Sequence, residues 1–172
     1  ALGIHTHFVP SEGVEGLKAD LLADPADPAS VAARHAKDAG AAPLAPHREA
    51  IDRLFAFDTV EEIFAALEAD GSDWAAAQRA TLKTKSPTSL KVTLRHIREG
   101  AKAASFDANM AVEYAVSGRI GATHDFQEGV RAVIVDKDNA PKWSPTDLSG
   151  VTDATLDALF APLADNCLLY TS

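Results

Sequence analysis

Apolar residues recur three or four positions apart along most of the chain, the spacing that places side chains on one face of an α-helix. Val14, Leu17 and Leu21 show this spacing near the start of the chain. Breaks rich in proline, glycine and polar residues separate the runs. They predict helices at about residues 11–23, 28–39, 47–57, 59–71, 72–83, 86–100, 106–120, 125–133 and 152–160, with a polar loop at 136–145. No alternating strand–helix pattern and no internal repeat accompanies them, so we predict a mainly α-helical fold.

Several of these helices begin at capping signals. Thr59 can accept a hydrogen bond from the backbone amide of Glu62 while the Glu62 side chain reaches back, which is a capping box. Asp125 and Glu128 have the same spacing and predict a second capping box, with Asp125 as the N-cap. The Ser-Pro pair at 86–87 marks another start, because proline is tolerated in the first helical turn. The other signals are Ser72 or Asp73, Thr152 or Asp153, and the terminating Gly71.

The first ten residues depart from the helical pattern. Apolar Ile4, Phe8 and Val9 predict a short buried strand or the exit from one. A strand needs partners, and few strand-like runs follow it. We therefore expect the natural N-terminus to lie upstream of Ala1.

Composition narrows the class of protein without naming a function. The chain has 172 residues, of which 47% are hydrophobic and 24% are charged, as in a folded globular domain. Its net charge of −9 opposes binding to nucleic acid or to anionic membranes. No apolar run approaches membrane-spanning length, and no secretory signal is evident. The single cysteine, Cys167, excludes an internal disulfide framework. These features predict a soluble, intracellular protein.

Two histidine patterns raise catalytic or metal chemistry. His5 and His7 would share one face of a strand, but a third metal ligand at suitable spacing is missing, which favours a polar strand edge. His124 and Asp125 could form an acid–base pair. We favour the N-cap role for Asp125, because adjacent residues at a helix start rarely face each other. The chain also lacks a nucleophile elbow and a glycine-rich phosphate loop.

Positive charge is concentrated in one part of this acidic chain. Between Arg79 and Lys102 lie seven basic residues and one acidic residue, a local charge of +6, so the remainder carries −15. Four of the basic residues fall on one helical face, which could bind phosphates: Lys91, Arg95, Arg98 and Lys102. The interpretation we favour is a solvated face that balances acidic neighbours. A second cluster contains Arg131, Lys137, Lys142 and Trp143, where the indole could stack on a base or hold a loop down.

Several phrases resemble the 3-hydroxyisobutyryl-CoA hydrolase family of the crotonase (enoyl-CoA hydratase/isomerase) superfamily. They occur in the family's order over nearly the whole chain: THFVPSE (6–12), VEEI (60–63), SPTSLKVT (86–93), EY (113–114) with Ser117 and Arg119, HDFQEGVRA (124–132), DKD (136–138) and PKWSP (141–145). The phrases at 86–93 and 124–132 are the most specific. His5, the Ala115–Val116 pair and residues 166–172 depart from the family pattern. The last segment is expected to be a non-native tail.

The resemblance implies hydrolysis of the thioester of 3-hydroxyisobutyryl-CoA in valine breakdown. The family's catalytic acids and oxyanion hole lie in a spiral core of ββα units, upstream of the phrase at Thr6. We therefore expect the helical C-terminal region of a crotonase-like α/β fold, with the ββα core missing and no catalytic residue present. The expected divisions are 1–10 as the end of the core, 11–165 as the helical region and 166–172 as the doubtful tail.

The same resemblance predicts the partners and location. An acyl-CoA is the expected substrate, with no cofactor, metal, nucleic acid or membrane involved. Lys91 and Arg95, or Arg131 and Lys137, would contact the adenine or phosphates of CoA. The missing core is the expected partner, with self-association into a homo-oligomer as a further expectation. The protein would be cytoplasmic in a bacterium or mitochondrial in a eukaryote. The alternatives are another crotonase enzyme, such as an enoyl-CoA hydratase or isomerase, and a non-catalytic helical binding module.

Overall fold

The structure is a computed structural model that describes residues 6–163, and these residues form helices and loops with no β-strand. The mainly α-helical prediction is therefore confirmed for the described part of the chain. The helices are α1 (Val14–Ala23), α2 (Pro28–His35), α3 (Arg48–Leu54), α4 (Val60–Asp70), α5 (Asp73–Lys83), α6 (Pro87–Gly100), α7 (Phe106–Gly121), α8 (His124–Val130) and α9 (Asp153–Phe160). A π-helical turn (Arg131–Val135) follows α8, and a short 3-10 turn (Leu148–Gly150) precedes α9. The chain forms two compact units, residues 1–52 and 53–172.

In the first unit, α1 and α2 pack against each other. The ring of His35 on α2 hydrogen-bonds Asp20 on α1, with Nε2 and Oδ2 2.7 Å apart. Of the short buried strand or strand exit predicted near the N-terminus, the described part is loop: Phe8 is 49% exposed and makes one isolated bridge to Lys37. A single bridge leaves the Phe8 side chain without a sheet to cover it.

Helix α4 begins and ends as the sequence predicts. The Thr59 side chain accepts from the Glu62 amide at 3.2 Å, and a Glu62 carboxylate oxygen accepts from the Thr59 amide at 3.0 Å. Gly71 ends the helix with a left-handed backbone at φ 71°, a conformation that glycine adopts without steric cost. The buried face of α4 carries Val60, Ile63 and Leu67.

The helices that follow also start at side-chain caps. Ser72 accepts from the Ala75 amide, Ser86 from the Ser89 amide, and Thr152 from the Thr155 amide. The structure thus selects Ser72 over Asp73 and Thr152 over Asp153 as the N-cap. Ser105 caps α7 in the same way. The N-cap of α8, however, is Thr123, which accepts from the Phe126 amide at 3.3 Å.

The predicted capping box at Asp125 and Glu128 is therefore wrong. Helix α8 begins two residues earlier than that box requires, so Asp125 lies in the first turn and its side chain is buried. It is the only buried charged residue among those described. A threonine hydroxyl caps the helix equally well, which leaves the Asp125 carboxylate for contacts with other elements.

Helices α6, α7 and α9 enclose the main apolar core of the second unit. Val92, Val116, Leu156, Leu159 and Phe160 are buried there in mutual contact. Arg119 of α7 also holds the end of α9, because its guanidinium donates to the carbonyl of Leu159 at 2.9 Å and to that of Ala161. This packing fixes which faces of α6 and α7 remain open to solvent. Among the described helices, none combines the length and apolar character that a membrane span requires.

Candidate functional site

Of the four basic residues predicted to share one helical face, Lys91, Arg95 and Arg98 lie on α6, whereas Lys102 lies in the turn after its end; we call this set the basic face (Lys91, Arg95, Arg98 and Lys102). They line an open cavity of about 380 Å³ whose floor includes Leu94 and Leu156. Cavities of this size accommodate small ligands or part of a cofactor-sized ligand. The same cavity is also lined by four carboxylates: Asp58, Glu61, Glu99 and Asp153.

Lys91 is the most enclosed lysine of the basic face. Its ammonium lies 2.7 Å from Glu61 Oε1 and donates to the carbonyl of Val151 at 3.2 Å. The side chain is 18% exposed. It therefore ties α6 both to the first turn of α4 and to Val151, the residue before the N-cap of α9.

Arg95 is similarly engaged within the protein. Its Nε lies 2.6 Å from Glu99 Oε1, and its Nη1 lies 2.7 Å from Asp157 Oδ1. The guanidinium also stacks 4.5 Å from the ring centroid of Phe160. Although partial burial disfavours the charged form, the hydrogen bonds to Glu99 and Asp157 raise the pKa of Arg95.

The other two cations of the basic face are more exposed. Arg98 lies 3.5 Å from Asp58 and donates to the carbonyls of Ala56 and Phe57. Lys102 makes no ion pair within residues 6–163. Most of the positive charge thus faces a carboxylate of the same chain, as the balancing-face interpretation describes. Binding of CoA by Lys91 and Arg95 stays a prediction.

Arg131 forms the densest ion-pair cluster of the described residues. Its guanidinium donates to both carboxylate oxygens of Glu128 at 2.8 Å, and to one oxygen each of Asp136 and Asp138 at 2.7 Å. Glu128 also accepts from the Lys142 amide at 2.8 Å. The hydrogen bonds that Arg131 donates lower the pKa of Glu128 to about 2, and the three carboxylates that accept from Arg131 raise its own pKa. The cluster closes the loop at 136–142 onto the end of α8.

Lys137 differs from the other three predicted CoA contacts. It lies at the tip of this loop, exposed, with a left-handed backbone at φ 56°. Its ammonium makes no ion pair in the described part of the chain, whereas Arg131 already satisfies three carboxylates. The arrangement leaves Lys137 available to an external anion, with Arg131 fixing the loop that carries it.

Asp125 joins three separate parts of the second unit. Its Oδ2 accepts from the Ser86 hydroxyl at 2.5 Å, and its Oδ1 accepts from the Ser144 amide at 2.7 Å. The side chain is 4% exposed. Ser86 thus caps α6 and also binds α8, while Ser144 fixes the loop that leads to α9. A buried carboxylate of this kind requires such partners to offset its lost hydration.

His124 and Asp125 also contact each other, contrary to the expectation from their adjacency. Nδ1 of His124 lies 3.1 Å from Asp125 Oδ1. Because an ionised carboxylate can only accept, this bond places a proton on Nδ1 and leaves Nε2 as the basic nitrogen of the neutral ring. His124 is 58% exposed and lines a cavity of about 340 Å³ with Thr88 and Leu159.

Sequence reasoning missed the bonds of Asp125 to Ser86 and Ser144 because the partners lie 39 and 19 residues away. The phrases at 86–93, 124–132 and 141–145 were the available signal, since they bring these three residues together as one family pattern. Trp143 holds its loop down, because its Nε1 donates to the carbonyl of Thr84 at 3.1 Å and its ring packs against Gly129. The loop-packing interpretation of Trp143 is confirmed.

The remaining candidate positions give no assembled centre. His5 and Cys167, with the proposed tail at 166–172, lie outside the described residues. His7 contacts the Thr6 hydroxyl through Nδ1 at 2.9 Å. Within residues 6–163, no group of three or more His, Cys, Asp or Glu side chains is placed to hold a metal ion.

Comparisons with known proteins find relatives that are named for reactions of CoA esters. Residues 1–160 match the sequence model of the enoyl-CoA hydratase/isomerase family. The mitochondrial 3-hydroxyisobutyryl-CoA hydrolase of Danio rerio is 42% identical over 97% of this chain and 46% of its own length. The Homo sapiens protein of the same name is 39% identical over 98% of this chain and 46% of its own length. The chain thus spans about half the length of the curated relatives that it matches.

Solved structures show the same fold. A carnitinyl-CoA dehydratase from Mycobacterium thermoresistibile matches with a TM-score of 0.81 and 38% identity, covering 92% of this chain and 45% of that one. An enoyl-CoA hydratase from Rhodobacter sphaeroides matches with a TM-score of 0.73 and 33% identity, covering 91% of this chain and 44% of that one. The helical arrangement described above is therefore a segment found within larger proteins of this type.

Proposed function

Because the chain belongs to the enoyl-CoA hydratase/isomerase family, we propose that it is the helical C-terminal part of an acyl-CoA thioester hydrolase acting on 3-hydroxyisobutyryl-CoA. The observation that carries the proposal is the match of nearly the whole chain, at about 40% identity, to hydrolases named for that substrate. In this role the chain closes the acyl pocket over a core that supplies the catalytic acids and the oxyanion hole.

An exposed apolar surface supports a docking role for this chain. Phe106, Met110 and Tyr114 follow each other at four-residue intervals along α7 and are 74%, 37% and 49% exposed; we call them the α7 stripe. Val133, Ile134 and Val135 in the π-helical turn are more than half exposed as well. Apolar patches of this kind are typical of surfaces covered by another domain. We propose that the α7 stripe packs against the crotonase core.

The CoA contacts proposed from the sequence can be ranked by the charges around them. Lys137 is the first candidate, because its ammonium has no carboxylate partner in the described chain, and Arg131 positions its loop. Lys91 and Arg95 are the alternative, since they line an open cavity but are held by Glu61, Glu99 and Asp157. A phosphate would have to compete with those carboxylates for the same cations.

A different reaction on acyl-CoA is the second candidate function. The solved structures that match are named as a dehydratase and a hydratase, so the same helical segment occurs beside hydration chemistry. Hydrolysis and hydration share the need to stabilise charge on the thioester carbonyl oxygen, which a family oxyanion hole would supply. The two reactions differ in whether water attacks the thioester carbonyl or adds to a carbon–carbon double bond, so separate assays distinguish them.

The deciding experiment uses the polypeptide extended upstream to the start of its gene. Release of free CoA from 3-hydroxyisobutyryl-CoA is followed with a thiol reagent, and hydration of crotonyl-CoA is followed by loss of enoyl absorbance. The hydrolase proposal predicts CoA release far above crotonyl-CoA hydration. The reverse order would make the protein a hydratase, and neither activity would favour a non-catalytic binding module.

Charge reversal in that extended polypeptide tests the CoA contacts. Lys137→Glu is expected to raise KM for the CoA ester about tenfold while leaving kcat unchanged, because it removes binding to a part of the substrate remote from the reaction. Lys142→Glu, a neighbouring exposed lysine, is the matched control. An unchanged KM for Lys137→Glu together with a raised KM for Lys91→Glu would assign the contact to the basic face.

The proposal extends to location and assembly. The matching hydrolases are named as mitochondrial, and we propose the mitochondrion for a eukaryotic source and the cytoplasm for a bacterial one. Self-association of the complete enzyme is also proposed. Sedimentation of the extended polypeptide would reveal it as a mass above that of one chain.

A further inference from the structure

A second groove in residues 53–163 is separate from the basic face and is not used by the proposed function. It has a volume of about 500 Å³ and is lined by half-buried apolar side chains from α4, α5, α6 and the loop before α9. These are Phe64, Leu82, Leu90, Trp143 and Leu148, and we call this feature the Trp143 groove. Its apolar lining with a few charged groups at the edge is the composition of small-molecule binding sites.

Two lysines at its edge give the Trp143 groove a charge preference. Lys83 and Lys85 both line it, both are exposed, and neither makes an ion pair within residues 6–163. Other cations of the same basic segment are paired, such as Arg79 with Glu68 at 2.8 Å and Lys91 with Glu61 at 2.7 Å. In a chain with a net charge of −9, two unpaired ammonium groups beside an apolar groove favour an anionic ligand.

One acidic residue limits how much negative charge the ligand can carry. Asp147 also lines the groove, and its Oδ1 accepts from the amides of Ser149 and Gly150 at 3.0 and 3.2 Å. Hydrogen bonds from Ser149 and Gly150 lower the pKa of Asp147, so it remains ionised at neutral pH. The edge thus has two positive charges and one negative charge. This balance suits a single carboxylate better than a phosphate with two charges.

We propose that the Trp143 groove binds an aliphatic monocarboxylate, with its chain along the apolar lining and its carboxylate between Lys83 and Lys85. The proposal is independent of thioester hydrolysis, since it uses none of the residues assigned to CoA. Affinity rises with chain length, by about fourfold for each added methylene that the groove buries. The ammonium groups at an exposed edge add about fivefold each.

Fluorescence of Trp143 in the full 172-residue chain tests this. Trp74→Phe leaves Trp143 as the sole tryptophan, since the sequence contains two. Hexanoate, octanoate and decanoate are titrated below their micelle concentrations, beside octan-1-ol and octylamine. The proposal predicts tightening along the carboxylate series and octanoate binding tighter than octylamine. Equal affinities for octanoate, octan-1-ol and octylamine, or no saturable binding, would overturn it.

Charge variants distinguish binding of octanoate in the Trp143 groove from nonspecific attraction of its carboxylate to any exposed lysine. Lys83→Glu and Lys85→Glu are each expected to weaken octanoate about fivefold and to leave octan-1-ol unchanged. Lys102→Glu is the matched control, an exposed lysine outside the groove that also lacks an ion pair within residues 6–163. Equal weakening by all three variants would contradict the site. Calorimetric titration of the unmodified chain supplies the same comparison if Trp74→Phe does not fold.

Discussion

At the scale of single residues, Asp125 is the only buried charged residue among those described, and it links three parts of the second unit. It receives hydrogen bonds from the Ser86 hydroxyl, the Ser144 amide and His124, and so it ties α6, α8 and the loop before α9 together. Removal of such a group leaves buried donors unpaired, which costs more than the bond itself contributes. Loss of the Asp125 carboxylate should therefore destabilise the fold more than loss of an exposed carboxylate does.

Asp125→Ala is expected to lower the free energy of unfolding by about 2–4 kcal/mol, because Ser86 and the Ser144 amide lose their acceptor. Urea unfolding followed by circular dichroism measures the change. Asp58→Ala is the control, since Asp58 is 90% exposed and 3.5 Å from Arg98, and should cost less than about 1 kcal/mol. Equal losses for the two variants would show that the network contributes little.

Glu128 gives stability a dependence on acid pH. Its pKa is lowered from 4.5 to about 2, chiefly by hydrogen bonds from Arg131. A carboxylate with a folded pKa below its unfolded pKa stabilises the protein above pH 4.5 and loses that contribution as pH falls toward 2. Glu128→Gln should therefore flatten the fall in unfolding free energy between these limits.

The comparison for Glu128→Gln is Glu12→Gln, which removes an exposed carboxylate without an ion pair in the described chain. Urea unfolding at several pH values between 2 and 6 gives both curves. Glu12→Gln should follow the parent protein throughout. A Glu128→Gln curve parallel to that of the parent would contradict the assigned role of the Arg131 cluster.

Residue-scale features were predictable where the partners are close in sequence. Thr59 and Glu62 are three residues apart, so their capping box follows from local geometry. Asp125 has the same local signal, but Thr123 supplies the cap and the carboxylate bonds residues 39 and 19 positions away. No periodicity within one element encodes such contacts. The family resemblance pointed to the sequence phrases that contain Ser86, Asp125 and Ser144, but it did not indicate that these residues contact one another.

At the scale of elements, the caps decide where helices begin. The Thr59–Glu62 capping box starts α4, whose buried face contributes Ile63 and Leu67. Thr59→Ala removes one side of the box and is expected to cost about 1 kcal/mol of unfolding free energy. Thermal and urea unfolding both report it. Ser89→Ala, in the first turn of α6 with an exposed side chain, is the control and should be nearly neutral.

The length and order of the helices were largely predictable from apolar spacing. The structure shortens α2 and α3 relative to the prediction and inserts a π-helical turn at Arg131–Val135. Both helices are shorter because each has only one buried residue to hold it, Val31 in α2 and Leu54 in α3. The π turn is not encoded by spacing, since it depends on the ion pairs that Arg131 makes with the loop beyond it.

The open face of α7 was not predicted as a stripe. Phe106, Met110 and Tyr114 fit a helical period, and that period normally indicates burial. In the structure a second set of residues, Val112, Val116 and Ile120, packs in the core, so two faces of α7 are apolar. A helix that is apolar on two sides is typical of an element enclosed by a larger protein.

A substitution in the α7 stripe should therefore impair docking onto the core while leaving the folding of this chain unchanged. Tyr114→Glu is expected to change the unfolding free energy of this chain by less than about 0.5 kcal/mol, because Tyr114 is 49% exposed. In the polypeptide extended upstream, the same change should reduce thioesterase activity, since the glutamate would be buried against the core. Val116→Glu is the contrasting control and should unfold this chain, because Val116 is buried. A large loss of stability from Tyr114→Glu here would contradict the docking role.

At the scale of the whole molecule, the chain spans about half the length of its relatives and has the same helical segment as they do. The family and the α-helical class could be predicted from specific phrases and apolar spacing. The engagement of the basic residues could not, because their carboxylate partners come from other elements. The charge run that suggested a phosphate site is mostly satisfied within the protein.

The most direct test replaces the matching segment of the Danio rerio hydrolase with this chain and measures release of CoA from 3-hydroxyisobutyryl-CoA. The account predicts that the hybrid folds and hydrolyses the thioester, whereas the 172-residue chain by itself does not. Activity of the chain by itself would place catalytic groups within it and contradict the account. A folded hybrid that binds the CoA ester without hydrolysing it would show that this chain cannot complete the hydrolase.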